Sequence, residues 1–111
     1  MSRKAASEAA IRLLGGIGLA ARAGRLEIGY DAVTASVRRG VAFAVVVAGD
    51  APVSVKSKLE RFLAANSTPY RIVLDGDRLG RAIGRERAVA LAITDSSLGQ
   101  HVIELAKELE G

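Results

Sequence analysis

The stretch VAFAVVVAGDAP, residues 41–52, decides the fold because it joins an apolar run to a sharp break. Residues 41–48 are almost continuously apolar, which is typical of a strand buried on both faces of a sheet. Residues 49–52 then predict a turn, in which Pro52 suits the first turn of a following helix. The segment therefore predicts a buried strand, a turn and a helix in succession.

The rest of the chain alternates in the same way between helical and extended patterns. Ser7 is predicted to cap a first helix over residues 7–23, which ends at Gly24. Four more helices are predicted, namely residues 30–39 between Gly29 and Gly40, a segment through Val55 and Leu63 that ends near Asn66, residues 75–83 before Gly84, and a last helix capped by Ser96 or Ser97. The predicted strands are residues 25–28, 41–48, 70–74 and 88–94. This alternation predicts a single domain, residues 1–111, built as an α/β sandwich with a mixed sheet of about four strands.

The composition narrows the classes of function. The chain has 111 residues, half of them hydrophobic, and only 4% are aromatic, so Ala, Val, Leu and Ile must form the core. It contains no cysteine and a single histidine, His101, which excludes disulfides and argues against a zinc site. No apolar run approaches the roughly 20 residues that span a bilayer, and the first ten residues lack the apolar segment of a signal peptide. We therefore expect a cytoplasmic protein without a metal or another cofactor.

The charge is unevenly distributed and favours a polyanionic partner. The net charge is +4 and the calculated pI is about 10.0. Residues 1–40 carry seven basic residues against three acidic ones, whereas residues 104–111 carry one against three. Basic side chains that meet phosphates release condensed counterions, which favours nucleic-acid binding. The alternative is that the charge only keeps a small protein in solution.

Gly16, Gly18 and Ala21 fit the dinucleotide-binding pattern G-x-G-x-x-A, but their context contradicts it. That fingerprint requires a strand directly before the first glycine, and the residues before Gly16 have a helical pattern. We interpret Gly15, Gly16 and Gly18 as glycines that allow close helix packing. The serines lack an activating His or Lys nearby, and Asp75 and Asp77 suit turn or helix-cap positions, so an enzyme is disfavoured.

Two glycine-bounded segments are better candidates for polyanion binding. Gly29 precedes a helix whose first amides are free to donate to an anion or a base edge, with Arg22 and Arg25 just upstream. The second segment, GRAIGRER, covers residues 80–87 and leads into the predicted buried strand 88–94. In an α/β sandwich we expect both segments at the same end of the sheet.

Four motifs resemble the kink-turn-binding ribosomal protein family of the L-seven-Ae type (L7Ae), and most closely its bacterial YlxQ-type branch. They are LAARAGRLEIG at residues 19–29 with Gly18 before them, VVVAGDA at 45–51, LGRAIG at 79–84 and AVALAITD at 88–95. They occur in the family's order and cover most of residues 11–96. The resemblance implies a three-layer α-β-α sandwich with a four-stranded mixed sheet.

The resemblance also implies binding to a kink-turn, a sharply bent RNA helix whose major groove is opened at the bend. In the family a G-x-N-E-x-x-K motif at the start of the second helix enters that groove. Gly29 matches the glycine, while Asp31, Ala32 and Ala35 stand at the Asn, Glu and Lys positions. Asp31 can still accept hydrogen bonds from guanine, but Ala32 and Ala35 remove two polar contacts. The family's second RNA-contacting loop maps to residues 85–89.

We therefore expect a small, non-enzymatic protein that binds structured RNA, namely a kink-turn or a related RNA structure, with ribosomal RNA as a candidate. Ribosomal or other proteins are also candidate partners, and neither a membrane nor DNA is expected. The predicted RNA-binding residues are Arg22, Arg25, Gly29, Tyr30, Asp31, Thr34, Arg38, Arg85, Arg87 and Ala88. Among them Arg22, Arg25 and Arg38 are expected to contact phosphates.

Two alternatives use the same fold. In the first, the lost polar residues mark a protein–protein adaptor that uses the helix face around Tyr30 and Val37. In the second, the chain is an accessory domain of an RNA-modifying system. Of the two, the adaptor is favoured because 111 residues leave no room for a catalytic domain.

Overall fold

The computed structural model describes residues 3–110, and the side chains of residues 8–109. Its strands are β1 (Leu26–Ile28), β2 (Ala44–Val47), β3 (Tyr70–Ile72) and β4 (Ala90–Ile93). Its helices are α1 (Arg3–Arg22), α2 (Tyr30–Arg38), α3 (Val53–Ala65), α4 (Gly76–Ala82) and α5 (Ser96–Glu110). The strands form one mixed sheet in the order β1-β4-β2-β3, in which β4 is antiparallel to both β1 and β2, and β3 is parallel to β2.

The two central strands, β2 and β4, are buried on both faces and separate two cores. Successive side chains of a strand point to opposite faces. Accordingly Val46 and Leu91 pack on the side of α1, α4 and α5, whereas Val45 and Ala92 pack on the side of α2 and α3. This arrangement confirms the predicted three-layer α-β-α sandwich with a four-stranded mixed sheet.

The predicted helices and strands all occur, but several boundaries differ. Ser7 lies inside α1 rather than at its N-cap, because the helix already begins at Arg3. Asp95, not Ser96 or Ser97, caps α5 by accepting a hydrogen bond from the Leu98 amide at 2.8 Å. The predicted strand 41–48 is shorter because the Val41 amide donates to the Ser36 carbonyl at the end of α2. Among the described residues, no helix has the length and apolar character needed to cross a membrane.

The glycines of α1 do not all serve the same purpose. Gly16 faces Val102 and Leu105 of α5, and a Cβ at Gly18 would lie 3.1 Å from the Ala82 carbonyl oxygen of α4. Both are therefore packing glycines, as predicted. Gly15 is not, because it is exposed and, apart from its own helix backbone and its chain neighbours, no heavy atom lies within 4 Å of a Cβ built there. The helix runs unbroken through all three, so the strand required for dinucleotide binding does not exist here.

The loop between α4 and β4, residues 83–89, is pressed directly against α4. A Cβ at Gly80 would lie 2.6 Å from both the amide nitrogen and the Cα of Arg87. Such a distance is far inside van der Waals contact, and both atoms belong to the backbone, which has little freedom to move away. Gly80 is therefore required for the loop to lie where it does.

Arg87 also holds this loop by charge. Its guanidinium makes ion pairs with Asp50 at 2.9 Å and with Asp77 at 3.0 Å. Asp50 in turn accepts a hydrogen bond from the Gly76 amide at 2.9 Å. This set of three side chains, called the Arg87 clamp below, joins the loop to the β2–α3 turn and to the first turn of α4.

The clamp changes the acidity of Asp50. The Gly76 amide and then the Arg87 guanidinium stabilise the ionised carboxylate and hold the pKa of Asp50 below its ordinary value. A carboxyl with a lowered pKa in the folded state adds stability that is fully present above its unfolded pKa. That contribution is lost as the pH falls through the lowered value.

The packing of Gly80 gives a first prediction. Replacing it by alanine forces the loop away from α4, and we expect Gly80→Ala to reduce the free energy of unfolding by about 1–3 kcal/mol. The matched control is Gly15→Ala, which adds a methyl group in open space and should gain up to about 1 kcal/mol of helix propensity. Urea unfolding followed by circular dichroism measures both. Equal effects from the two substitutions would contradict the packing role of Gly80.

The clamp gives a second prediction. Asp50→Asn keeps an oxygen for the Gly76 amide but loses the charge opposite Arg87, so it should lower the unfolding midpoint at pH 7. The difference from the wild type should shrink as the pH falls through the lowered pKa of Asp50, because the wild-type carboxyl is then neutral as well. Asp77→Asn is the control and should cost less, because it removes an ion pair with the same arginine but leaves the charged Asp50 carboxylate as the acceptor of the Gly76 amide. A difference that does not change with pH would show that the ion pair contributes nothing.

Candidate nucleic-acid interface

The sheet register brings the start of α2 and the α4–β4 loop to the same end of the molecule. Ile28 pairs with Leu91, and Val47 pairs with Ala90, so β1 and β2 end where β4 begins. The Gly29 amide donates to the Ala90 carbonyl and the Ala48 amide to the Val89 carbonyl, both at 2.9 Å. The expectation that the two glycine-bounded segments share one end of the sheet is therefore confirmed. We call this surface, formed by residues 29–31, 49–54 and 84–87, the loop face.

The start of α2 presents free backbone donors on the loop face. Gly29 is the N-cap residue, with a φ of +97° that glycine adopts without strain, and it supplies no side-chain cap. The first hydrogen bond of the helix is donated by the Val33 amide to the Gly29 carbonyl oxygen. The amides of residues 30–32 therefore have no partner within the helix and point toward the loop face. Asp31 is exposed in this first turn.

Tyr30 is the first residue of α2, and its ring lies beside the first turns of α3. The Lys58 ammonium is 5.5 Å from the centre of its ring, within cation–π distance. A depression of about 410 Å³ opens beside them and is lined by Tyr30, Ser54, Val55 and Lys58. Lys58 is not among the RNA-binding residues that the sequence predicts. Its place in the sequence, ten residues after the end of the predicted strand 41–48, does not indicate proximity to Tyr30.

The α4–β4 loop offers one free arginine and one engaged arginine. Arg85 is exposed, and so is the neighbouring Glu86. Arg87 is held by the clamp, and the carboxylates of Asp50 and Asp77 raise the pKa of its guanidinium. Ala88 is only 4% exposed and belongs to the core. The loop can therefore reach a ligand through Arg85, while Arg87 fixes its position.

Thr34 is also turned inward. It is 4% exposed, and its hydroxyl donates within α2 to the carbonyls of Tyr30 at 3.0 Å and Asp31 at 3.1 Å. The side chain of Val37, which the adaptor hypothesis placed on an open face, is 7% exposed and packs in the core. Neither side chain is on the surface of the molecule.

The three predicted phosphate contacts lie toward the other end of the sheet. The Arg25 carbonyl accepts from the Thr94 amide just beyond the end of β4, and Arg22 lies at the end of α1. Arg38, in the last turn of α2, lies over the Phe62 ring at 5.1 Å. All three are exposed. The structure thus separates them from Gly29 by roughly the length of β1 or α2, about 10–14 Å.

The described residues contain no group of three or more His, Cys, Asp or Glu side chains that could hold a metal ion. The loop face offers the free backbone donors at the start of α2, the exposed carboxylates of Asp31 and Glu86, the clamped carboxylate of Asp50, and the cation of Arg85. This combination suits recognition of a polyanion with exposed base edges.

The sequence of the chain is similar to those of several known proteins. The model of the ribosomal protein L7Ae/L30e/S12e/Gadd45 family matches residues 12–102. The chain is 33% identical over 89 residues to RNA-binding protein YlxQ of Bacillus subtilis, a match that covers 80% of this chain and 89% of that protein. It is 32% identical over 82 residues to the large ribosomal subunit protein eL30 of Yarrowia lipolytica, covering 72% and 75% of the two chains.

Solved structures agree with the sequence relatives. A protein of unknown function from Bacillus halodurans C superposes with a TM-score of 0.83 at 30% identity, over 86% of this chain and 96% of that one. The Giardia lamblia 15.5kD RNA binding protein gives a TM-score of 0.78 at 25% identity, over 93% and 88%. These similarities confirm the family that the sequence motifs indicate. The protein belongs to the ribosomal protein L7Ae/L30e/S12e/Gadd45 family.

Proposed function

We propose that this protein binds structured RNA, a kink-turn or a related bend, through its loop face and acts in association with the ribosome. The observation that carries the proposal is the hydrogen bond of 2.9 Å between the Gly29 amide and the Ala90 carbonyl. It holds the free amides of α2 beside the loop that carries Arg85. Relatives named as RNA-binding or ribosomal proteins support this function, which requires no catalytic step.

The start of α2 is the proposed base-reading element. Its free amides can donate to phosphate oxygens or base acceptors, and the Asp31 carboxylate can accept from the imino and amino groups of guanine. A regular A-form major groove is too narrow for a helix end, so this contact requires RNA that is bent or opened. That requirement is why we propose a kink-turn or similar bend rather than a plain duplex.

Cations surround this element and would bind the backbone. Arg85 stands on the loop face, and Lys58 lies beside Tyr30 on the next helix. Arg38, Arg25 and Arg22 lie farther away, where an RNA arm running along α2 and the β1 edge would pass. We assign these three to flanking phosphates, and Thr34, Arg87 and Ala88 to supporting the surface.

The departures from the family motif lower the expected affinity. Ala32 and Ala35 are half-buried and offer no polar group where the motif has Glu and Lys. Each good base-edge contact is worth about 1–3 kcal/mol in DNA, and with similar values for RNA the loss of two contacts would weaken binding by about thirtyfold or more. We therefore expect binding that depends more on phosphate contacts, and more on salt, than the full motif would give.

The proposal is tested by calorimetric titration of the protein with a kink-turn RNA and with a plain duplex of equal length. Both titrations are made at two salt concentrations. At the higher salt concentration counterion release contributes less to the affinity of both RNAs. There we expect the protein to bind the kink-turn at least about tenfold more tightly than the plain duplex. Equal affinities would contradict kink-turn recognition and favour the adaptor hypothesis.

Arg85 provides a second test. Arg85→Ala should weaken binding of the kink-turn RNA. It should also reduce the slope of log K against log salt by about the amount that one phosphate contact contributes. Arg81→Ala is the matched control, since Arg81 is an exposed arginine of the preceding helix that lines the groove beside α1 instead. Equal effects of the two substitutions would show that Arg85 contributes only general charge.

A further inference from the structure

The outer surface of α1 carries apolar side chains that the chain itself leaves uncovered. Ile11 is 69% exposed and Leu19 is 47% exposed. They lie four residues before and four residues after Gly15, and positions spaced by four form one row along a helix. Of the five large hydrophobic side chains that are exposed in the described part of the chain, these two share one helix face.

Gly15 lies at the centre of that row without a packing role inside the molecule. A glycine inside a helix costs about 1 kcal/mol relative to alanine. At Gly16 and Gly18 the neighbouring helices α5 and α4 account for the absence of a side chain, but nothing lies within 4 Å of a Cβ at Gly15. A bare backbone flanked by Ile11 and Leu19 is the surface that another helix can approach closely.

Two charged residues extend the row and are placed symmetrically about Gly15. Glu8 precedes Gly15 by seven residues and Arg22 follows it by seven, and both are exposed. At about 100° per residue, all five positions fall within an arc of about 80° that is centred on Gly15. We call this set, Glu8, Ile11, Gly15, Leu19 and Arg22, the α1 stripe. Glu8 and Arg22 lie at equal distances on either side of Gly15, and so do Ile11 and Leu19.

We propose that the α1 stripe is a self-association surface, on which a second copy of this chain binds antiparallel about a two-fold axis through Gly15. In an interface of this symmetry, if residue i contacts residue j, then j also contacts i. Gly15 then meets the partner's Gly15, Ile11 lies beside the partner's Leu19, and Glu8 faces the partner's Arg22. A parallel pairing would instead place Glu8 opposite the partner's Glu8.

The expected dimer is weak. A single pair of helices buries less than the 1,200–2,000 Å² of a typical stable interface, so we expect a dissociation constant on the order of 10⁻⁴ M. The stripe lies on the layer of α1, α4 and α5, away from α2 and from the loop face. Only Arg22 belongs both to the stripe and to the proposed phosphate contacts, so self-association is measured in the absence of RNA.

Sedimentation equilibrium of the full chain at low salt tests the proposal. Up to about 1 mM protein, the weight-average mass should rise above 11.6 kDa toward twice that value. Gly15→Glu should hold the mass at that of the monomer, because it places two carboxylates on the axis. It should leave the circular dichroism unchanged, since the position is open in the single chain. A wild-type mass that stays at 11.6 kDa throughout this range would overturn the proposal.

A charge exchange tests the antiparallel register itself. Glu8→Arg and Arg22→Glu should each raise the dissociation constant about tenfold, because each variant pairs like charges in its own dimer. In an equimolar mixture of the two variants, opposite charges face each other at both ends and association should return to the wild-type level. Glu104→Arg, the same change on an exposed position of α5, is the control and should have little effect. A mixture that associates no better than either variant alone would contradict the assigned register.

Discussion

The hydrogen bond from the Gly29 amide to the Ala90 carbonyl joins two segments that are about sixty residues apart in sequence. It exists because β4 lies between β1 and β2 and runs antiparallel to both. Two strands therefore end where β4 begins, and the segments after them converge on the loop that leads into it. If β4 were parallel to its neighbours, the start of α2 and the α4–β4 loop would lie at opposite ends of the sheet.

This convergence requires a close approach of backbones that only small residues allow. Gly80 lets the loop lie on α4, and the Arg87 clamp then ties it to the β2–α3 turn. The clamp places an arginine near the proposed RNA surface but satisfies its charge internally. Its contribution to binding would be the fixed position of Arg85, two residues earlier. A rigid loop of this kind loses little conformational entropy when it binds a ligand.

The two sides of the sheet present surfaces of different character. On one side α2 and α3 place donors, a carboxylate and lysines near the loop face, as expected for a polyanion partner. On the other side α1 presents an apolar row with balanced charges at its ends. The net charge of the whole chain therefore describes neither surface, because each surface has its own arrangement of acidic and basic side chains.

The sequence alone determined the features that depend on residues close together in the chain. Apolar periodicity and helix-ending glycines predicted every element, the buried central strands and the layered sandwich, since these follow from local backbone preferences and from burial of one face. The family motifs located the start of α2 and the α4–β4 loop. Only the tertiary structure decided that Thr34 and Ala88 point inward, that Arg87 is paired, that Lys58 lies beside Tyr30, and that Gly15 is uncovered. Each of these depends on the sheet register and on contacts between helices distant in sequence, which no local pattern specifies.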